Sequence, residues 1–125
     1  MSIIAVDFDG VICVSEFPNI GRPHINVIDA LIKRRKKGDK LILWTCRHDK
    51  LLDDAVAFCR NMGLEFDAVN ENLDFMIEKY GESRKIGADY YLDDKSVTPE
   101  WLFSHDARAE PITTETRRPT RIIRR

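Results

Sequence analysis

A short apolar run ending on Asp7-Phe8-Asp9-Gly10 constrains this chain more than any other feature. Ile3, Ile4, Ala5 and Val6 offer no polar side chain to either of the faces that alternate along a strand. That is the pattern of a strand buried on both sides in a parallel sheet. In an α/β sheet the carboxyl end of such a strand opens into the ligand crevice. Residues i and i+2 project to one side while the strand continues, so Asp7 and Asp9 are expected to converge on one metal ion or phosphate. Hard oxygen donors of this kind suit Mg²⁺, which takes few protein carboxylates and keeps positions for water and phosphate. On its own, an Asp-x-Asp-Gly stretch fits a solvated turn better.

The rest of the chain repeats the strand-then-polar-end pattern. Lys40-Leu41-Ile42-Leu43-Trp44 reads as a second strand and ends at Thr45-Cys46-Arg47, just before a helix is expected, where free N–H groups bind phosphate. Ala88-Asp89-Tyr90-Tyr91-Leu92 reads as another strand, closing on Asp93-Asp94, with Arg84-Lys85 a few residues upstream. Between these runs, residues 24–37 place Ile25, Ile28, Leu31 and Ile32 at helical spacing and stop at Gly38. A helix after Asp49 carries Leu52, Ala55, Val56, Cys59 and Met62 on one stripe and stops at Gly63, a favourable residue just past a helix end. Residues 65–69 read as a short strand, Asn70-Glu71-Asn72 as a polar rim loop, and residues 73–80 as a helix ended by Gly81. Thr98-Pro99 reads as a helix start with Pro at the first position. Strands alternating with helices imply an α/β fold with a Rossmann-like, doubly wound parallel sheet.

In their order, Asp7-Phe8-Asp9-Gly10-Val11, Thr45, Lys85 and Asp93-Asp94 resemble the four motifs of the haloacid dehalogenase-like (HAD) superfamily. Val11 stands where many phosphatases of that superfamily have Thr. The resemblance implies a capless HAD core with a short flap, residues 13–23, after the nucleophile. It implies a Mg²⁺-dependent phosphatase in which Asp7 is the nucleophile and forms an aspartyl-phosphate, with Asp9 as general acid and base. Thr45 and Lys85 would grip phosphate, together with Cys46 and Arg47 of the same loop. Asp7, Asp9 through its main-chain carbonyl, Asp93 and Asp94 would make the metal site. Lys85 rather than Arg84 is expected to face inward. The reading from another class is a phosphate-responsive binding or regulatory module that kept the site and turns over slowly.

Composition narrows the alternatives. At 125 residues there is room for one core and no large cap, and 20 Lys and Arg against 21 Asp and Glu imply no overall attraction to nucleic acid or membrane. Cys13, Cys46 and Cys59 have no Cys-x-x-Cys spacing, which points to free thiols and, with a first strand starting at Ile3 and no long apolar run, to a cytoplasmic protein. None of the cysteines has Arg six residues on, since Asn19, Leu52 and Glu65 stand there, so a cysteine phosphatase is excluded. His24, His48 and His105 lack metal-ligand spacing, and Asp67 is too far along its strand to act as a receiver-domain phosphoacceptor. A catalytic domain of residues 1–103 is expected, followed by a basic tail, 104–125, that is solvated or contacts a neighbouring subunit in a homo-oligomer. Only that tail offers a surface for nucleic acid.

Overall fold

Four strands buried to different depths set the architecture. Along the chain run β1 (Ile3–Val6), β2 (Cys13–Glu16), β3 (Asn19–Pro23), α1 (Ile25–Lys36), β4 (Lys40–Leu43), α2 (Asp49–Asn61), β5 (Ala68–Val69), α3 (Asp74–Tyr80), β6 (Tyr90–Leu92) and α4 (Pro99–His105). This computed structural model describes residues 1–105; residues 106–125, most of the expected basic tail, lie outside the described residues. The chain forms two compact units, Met1–Asp94 and one that starts at Lys95. The expected catalytic domain, 1–103, spans the first unit and most of α4.

In the first unit the main sheet has the order β5-β4-β1-β6 and every pairing is parallel. Its two central strands alternate between separate cores. Ile4, Val6, Leu41 and Leu43 pack with Ile28 and Leu31 of α1 and with Ala55 and Cys59 of α2. Ile3, Ala5 and Ile42 face the other way, against Leu73, Ile86 and Met76 of the α3 region. Helical layers on both faces make this a mixed α/β fold compatible with a Rossmann-like, doubly wound sheet. From β1 the chain moves outward to β4 and β5, then returns to place β6 on the other side of β1. The crevice between the carboxyl ends of β1 and β6 is therefore the switch point where such sheets bind ligands.

Two expected strands are shorter than the apolar pattern suggested, for one reason. Residues 65–69 yield only β5, because the Asp67 carboxylate, rather than a main-chain carbonyl, accepts the Leu41 N–H at 2.8 Å. Residues 88–92 yield only β6, because the Asp89 carboxylate accepts the Ile3 N–H at 2.7 Å. Residues 13–23, expected as a short flap, form an antiparallel hairpin of β2 and β3. Its Phe17–Pro18 connection lacks the Asn-Gly or Asp-Gly signal that marks tight hairpins in sequence.

All three cysteines are free, with Cys13 and Cys59 buried. Among the described residues no helix is long and apolar enough to cross a membrane. In the second unit, α4 begins with Pro99, and the Thr98 carbonyl accepts the Trp101 N–H at 3.0 Å.

Leu43 is fully buried at the meeting of β4 with the α1 and α2 layer. Leu43→Ala is therefore expected to lower the unfolding free energy by about 2–5 kcal/mol, measured by urea denaturation. Ile25→Ala, at a side chain 48% exposed, is the control, with an expected change below about 0.5 kcal/mol.

Candidate active site

The register between β1 and β6 brings the strand-end carboxylates together. Val6 lies opposite Leu92, and the next N–H, that of Asp7, is donated to the Leu92 carbonyl at 3.0 Å. Asp7 thus emerges beside Asp93 and Asp94, and one carboxylate oxygen from each of the three lies within 4.8 Å of the others. Asp7 is half-buried; Asp93 and Asp94 are exposed. Burial, reinforced by repulsion from Asp93, Asp94 and Asp9, pushes the Asp7 carboxyl up to about 6 against the opposing effect of the Phe8 N–H, which it accepts at 2.8 Å. Gly10 makes room for this arrangement. Its φ of +89° is open to glycine at little cost, and a Cβ there would collide with the Asp94 carboxylate.

Asp9 takes a different position from the one expected. Strand β1 stops at Val6, so the i, i+2 rule no longer governs the turn that follows, and the Asp9 side chain meets Arg47 rather than joining the acidic trio. Arg47 Nε and Nη2 donate to the two Asp9 oxygens at 2.8 Å each. Arg47 is 2% exposed, and its remaining contacts are the Pro18 carbonyl at 3.2 Å and the Asn19 carbonyl at 2.9 Å. Arg47 was expected among the phosphate contacts; buried with all three nitrogens engaged, it serves Asp9 and the hairpin instead. Removing Asp9 would leave the Arg47 guanidinium buried without its counter-charge, which is why the two residues have to be placed together.

Thr45 stands at the end of β4, held from two directions. Its N–H donates to Asn70 Oδ1 at 2.8 Å, and its hydroxyl oxygen accepts the Arg47 N–H at 3.1 Å. The hydroxyl proton remains to be given to a ligand. Cys46 beside it is exposed. Lys85 is exposed as well, its ammonium 5.5 Å from the centroid of the Tyr91 ring.

The rim loop contains two residues whose positioning role the sequence reading missed. Asn70, at φ 55°, braces Thr45, and buried Asn72 accepts the Gly87 N–H at 2.6 Å, tying the segment after α3 to the rim. Asn tolerates the left-handed conformation better than most residues, the one signal that an Asn directly after a strand offered. Burial pushes the Cys59 thiol up to about 12 and raises that of Cys13, so neither is a nucleophile in waiting.

No protein-family model and no curated protein matches the chain. Among solved structures, one described as a conserved protein coded by a locus of Bacteroides thetaiotaomicron is similar. It shares 39% identity and a TM-score of 0.70 over 83% of this chain and 86% of that one. The identity and the coverage together show that the chain belongs to the same family as this conserved Bacteroides protein.

Proposed function

We propose that the chain is a small, HAD-like, magnesium-dependent phosphatase that hydrolyses a phosphate monoester through a phosphorylated Asp7. The observation that carries this reading is the meeting of Asp7, Asp93 and Asp94 at the ends of neighbouring parallel strands, with Asp7 the most buried of the three. Three hard oxygen donors so close repel one another unless a cation lies among them, and the set fits Mg²⁺. Asp7 and Asp93 would hold it with the Asp9 main-chain carbonyl, and Asp94 would orient water beside it. When bound, the ion neutralises charge between Asp7 and an incoming phosphate and polarises the phosphoryl group.

The remaining chemistry belongs to side chains of this protein. A carboxylate oxygen of Asp7 attacks phosphorus, and the bond to the leaving oxygen breaks with its electron pair on that oxygen. Asp9 enters this step as the carboxylic acid, whose oxygens can still accept the two Arg47 N–H groups, and delivers its own proton to the leaving oxygen. It then takes a proton from a water that attacks phosphorus, which releases inorganic phosphate and restores Asp7. Thr45 donates its hydroxyl proton to a phosphate oxygen. Lys85, which lies against the Tyr91 ring and is exposed, would have to leave that ring to add its charge to the same group.

On a generic aryl phosphate, turnover is expected to require Mg²⁺ and to vanish in Asp7→Asn, which keeps the shape and loses the nucleophile. Full activity in that variant defeats the assignment. Binding of Mg²⁺ and phosphate without turnover in the unaltered chain would mark a binding module instead. Asp9→Asn is expected to lose about 10²- to 10⁴-fold on alkyl phosphates, whose leaving groups need a proton, and much less on activated aryl phosphates. Steady-state rates on the two substrate classes decide this.

Stability should depend on pH in a way that reports Asp7. Its carboxyl titrates near 6 in the folded chain against an ordinary value of 3.8, so folding favours the protonated form. That contribution is fully present below about pH 4 and is lost as pH rises through about 6. The melting temperature of metal-free protein is expected to carry this loss, and Asp7→Asn to remove it. Added Mg²⁺ should raise the melting temperature more at about pH 7.5 than at about pH 5, because the cation competes with the proton. Equal shifts at both pH values would count against Asp7 as a ligand.

A further inference from the structure

Arg47 is the largest fully buried side chain in the described protein, and its neighbours come from parts of the chain that nothing else on its own loop would unite. Its guanidinium forks onto both oxygens of Asp9 and reaches the carbonyls of Pro18 and Asn19, which are exposed residues at the tip of the β2–β3 hairpin. Two rings lie against it: Phe8, with its centroid 5.0 Å from the guanidinium carbon, and Phe17 of the same hairpin tip at 5.2 Å. Phe8 is itself buried and packs edge-on against Phe58 of α2 at 6.0 Å. One planar cation thus joins a strand-end carboxylate, a hairpin tip and a helix-backed ring.

We propose that Arg47 is a positioning residue that locks the β2–β3 hairpin tip to Asp9, so that one side chain sets both the place of the hairpin and the aim of the Asp9 carboxylate. The Asp9 half of this inference rests on the phosphatase reading; the hairpin half does not. The geometry requires Arg. A guanidinium presents donors along two edges of one plane, so it can bind a carboxylate with one edge and carbonyls with the other while its faces stack on rings. A lysine ammonium is a point charge and can satisfy Asp9 or the hairpin carbonyls, not the whole set. The hairpin needs such an anchor because its tip, residues 15–19, is exposed and has no core of its own.

Arg47→Lys and Phe17→Ala test the lock by two routes. Arg47→Lys keeps the charge and loses the fork; its kcat on alkyl phosphates is expected to fall about 10²-fold, the lower range of what an aimed proton donor supplies. Its kcat on activated aryl phosphates, and KM on both classes, should change less than about threefold. An equal loss on both classes would mean that Arg47 only maintains the fold, and would overturn the positioning role. Independently of activity, main-chain amides of residues 14–20 are expected to exchange hydrogen about tenfold faster in Arg47→Lys, while those of β1 and β4 keep their rates. Phe17→Ala, at an exposed ring and with the Asp9 pair intact, should loosen the hairpin to a similar degree without creating leaving-group dependence. Unchanged exchange in the hairpin of both variants overturns the lock. If the unaltered chain turns over no phosphate ester, the phosphatase reading falls by itself, and the exchange rates alone uphold or overturn the hairpin half.

Discussion

Parallel pairing of β1 with β6 is the constraint on which the site depends. With Val6 opposite Leu92, the first residues off each strand, Asp7 and Asp93, have to emerge side by side. A slip of one residue would exchange Ile4 and Val6 with Ile3 and Ala5 between two differently shaped cores. Apolar burial on both faces therefore holds three carboxylates closer together than their charges favour. The raised titration of Asp7 is the visible consequence, burial being the larger cause and the neighbouring carboxylates the smaller. Such tension between fold and charge is characteristic of sites built to receive a cation or a proton.

The second constraint is the desolvated guanidinium of Arg47. A cation taken out of water needs its lost hydration replaced, and here one carboxylate, two main-chain carbonyls and two aromatic faces do so. Because these partners come from the turn after β1 and from the β2–β3 hairpin, the requirement of one side chain organises both. The Thr45 loop joins the same network, since the Arg47 N–H reaches the Thr45 hydroxyl while Asn70 holds the Thr45 N–H. The ends of β1, β4 and β5 are thereby linked by polar contacts in a layer above the apolar sheet.

Most of the scaffold was legible in the sequence because burial on both faces leaves a plain mark. Four apolar residues before Asp7 gave β1, and the stripe of Ala55 and Cys59 with the Gly63 stop gave α2. The grouping of Asp7 with Asp93 and Asp94 was implied by the resemblance of the motifs, whereas strand spacing alone pointed to Asp7 and Asp9, which the turn after β1 separates. What stayed hidden depended on side chains replacing main-chain partners. Nothing in the spacing of Asp67 or Asp89 says that their carboxylates will accept a strand N–H and end the ladder early. Nor does Thr45-Cys46-Arg47 before a helix reveal that the arginine turns inward. A guanidinium near a strand end suits a phosphate as well as a carboxylate, and only the three-dimensional position of Asp9 decides between them.

Carboxylates at the two ends of the sheet illustrate why residue type alone does not identify a site. At the amino-terminal edge, Asp39, Asp89 and Asp67 accept the N–H groups of Ser2, Ile3 and Leu41, and Arg34 and Arg35 pair with Asp39 and Asp67. Strands begin there with N–H groups in need of acceptors, so an aspartate is satisfied by the backbone itself. The hydrogen bond from Ser2, with help from Arg34, holds the Asp39 carboxyl below its ordinary range. At the carboxyl-terminal edge the strands end with carbonyls, which cannot donate to an aspartate; Asp7 accepts the Phe8 N–H from the turn that follows, and Asp7, Asp93 and Asp94 lie close to one another. The same side chain is thus a structural cap at one end of β1 and part of an acidic cluster at the other, and the polarity of the parallel sheet makes the difference.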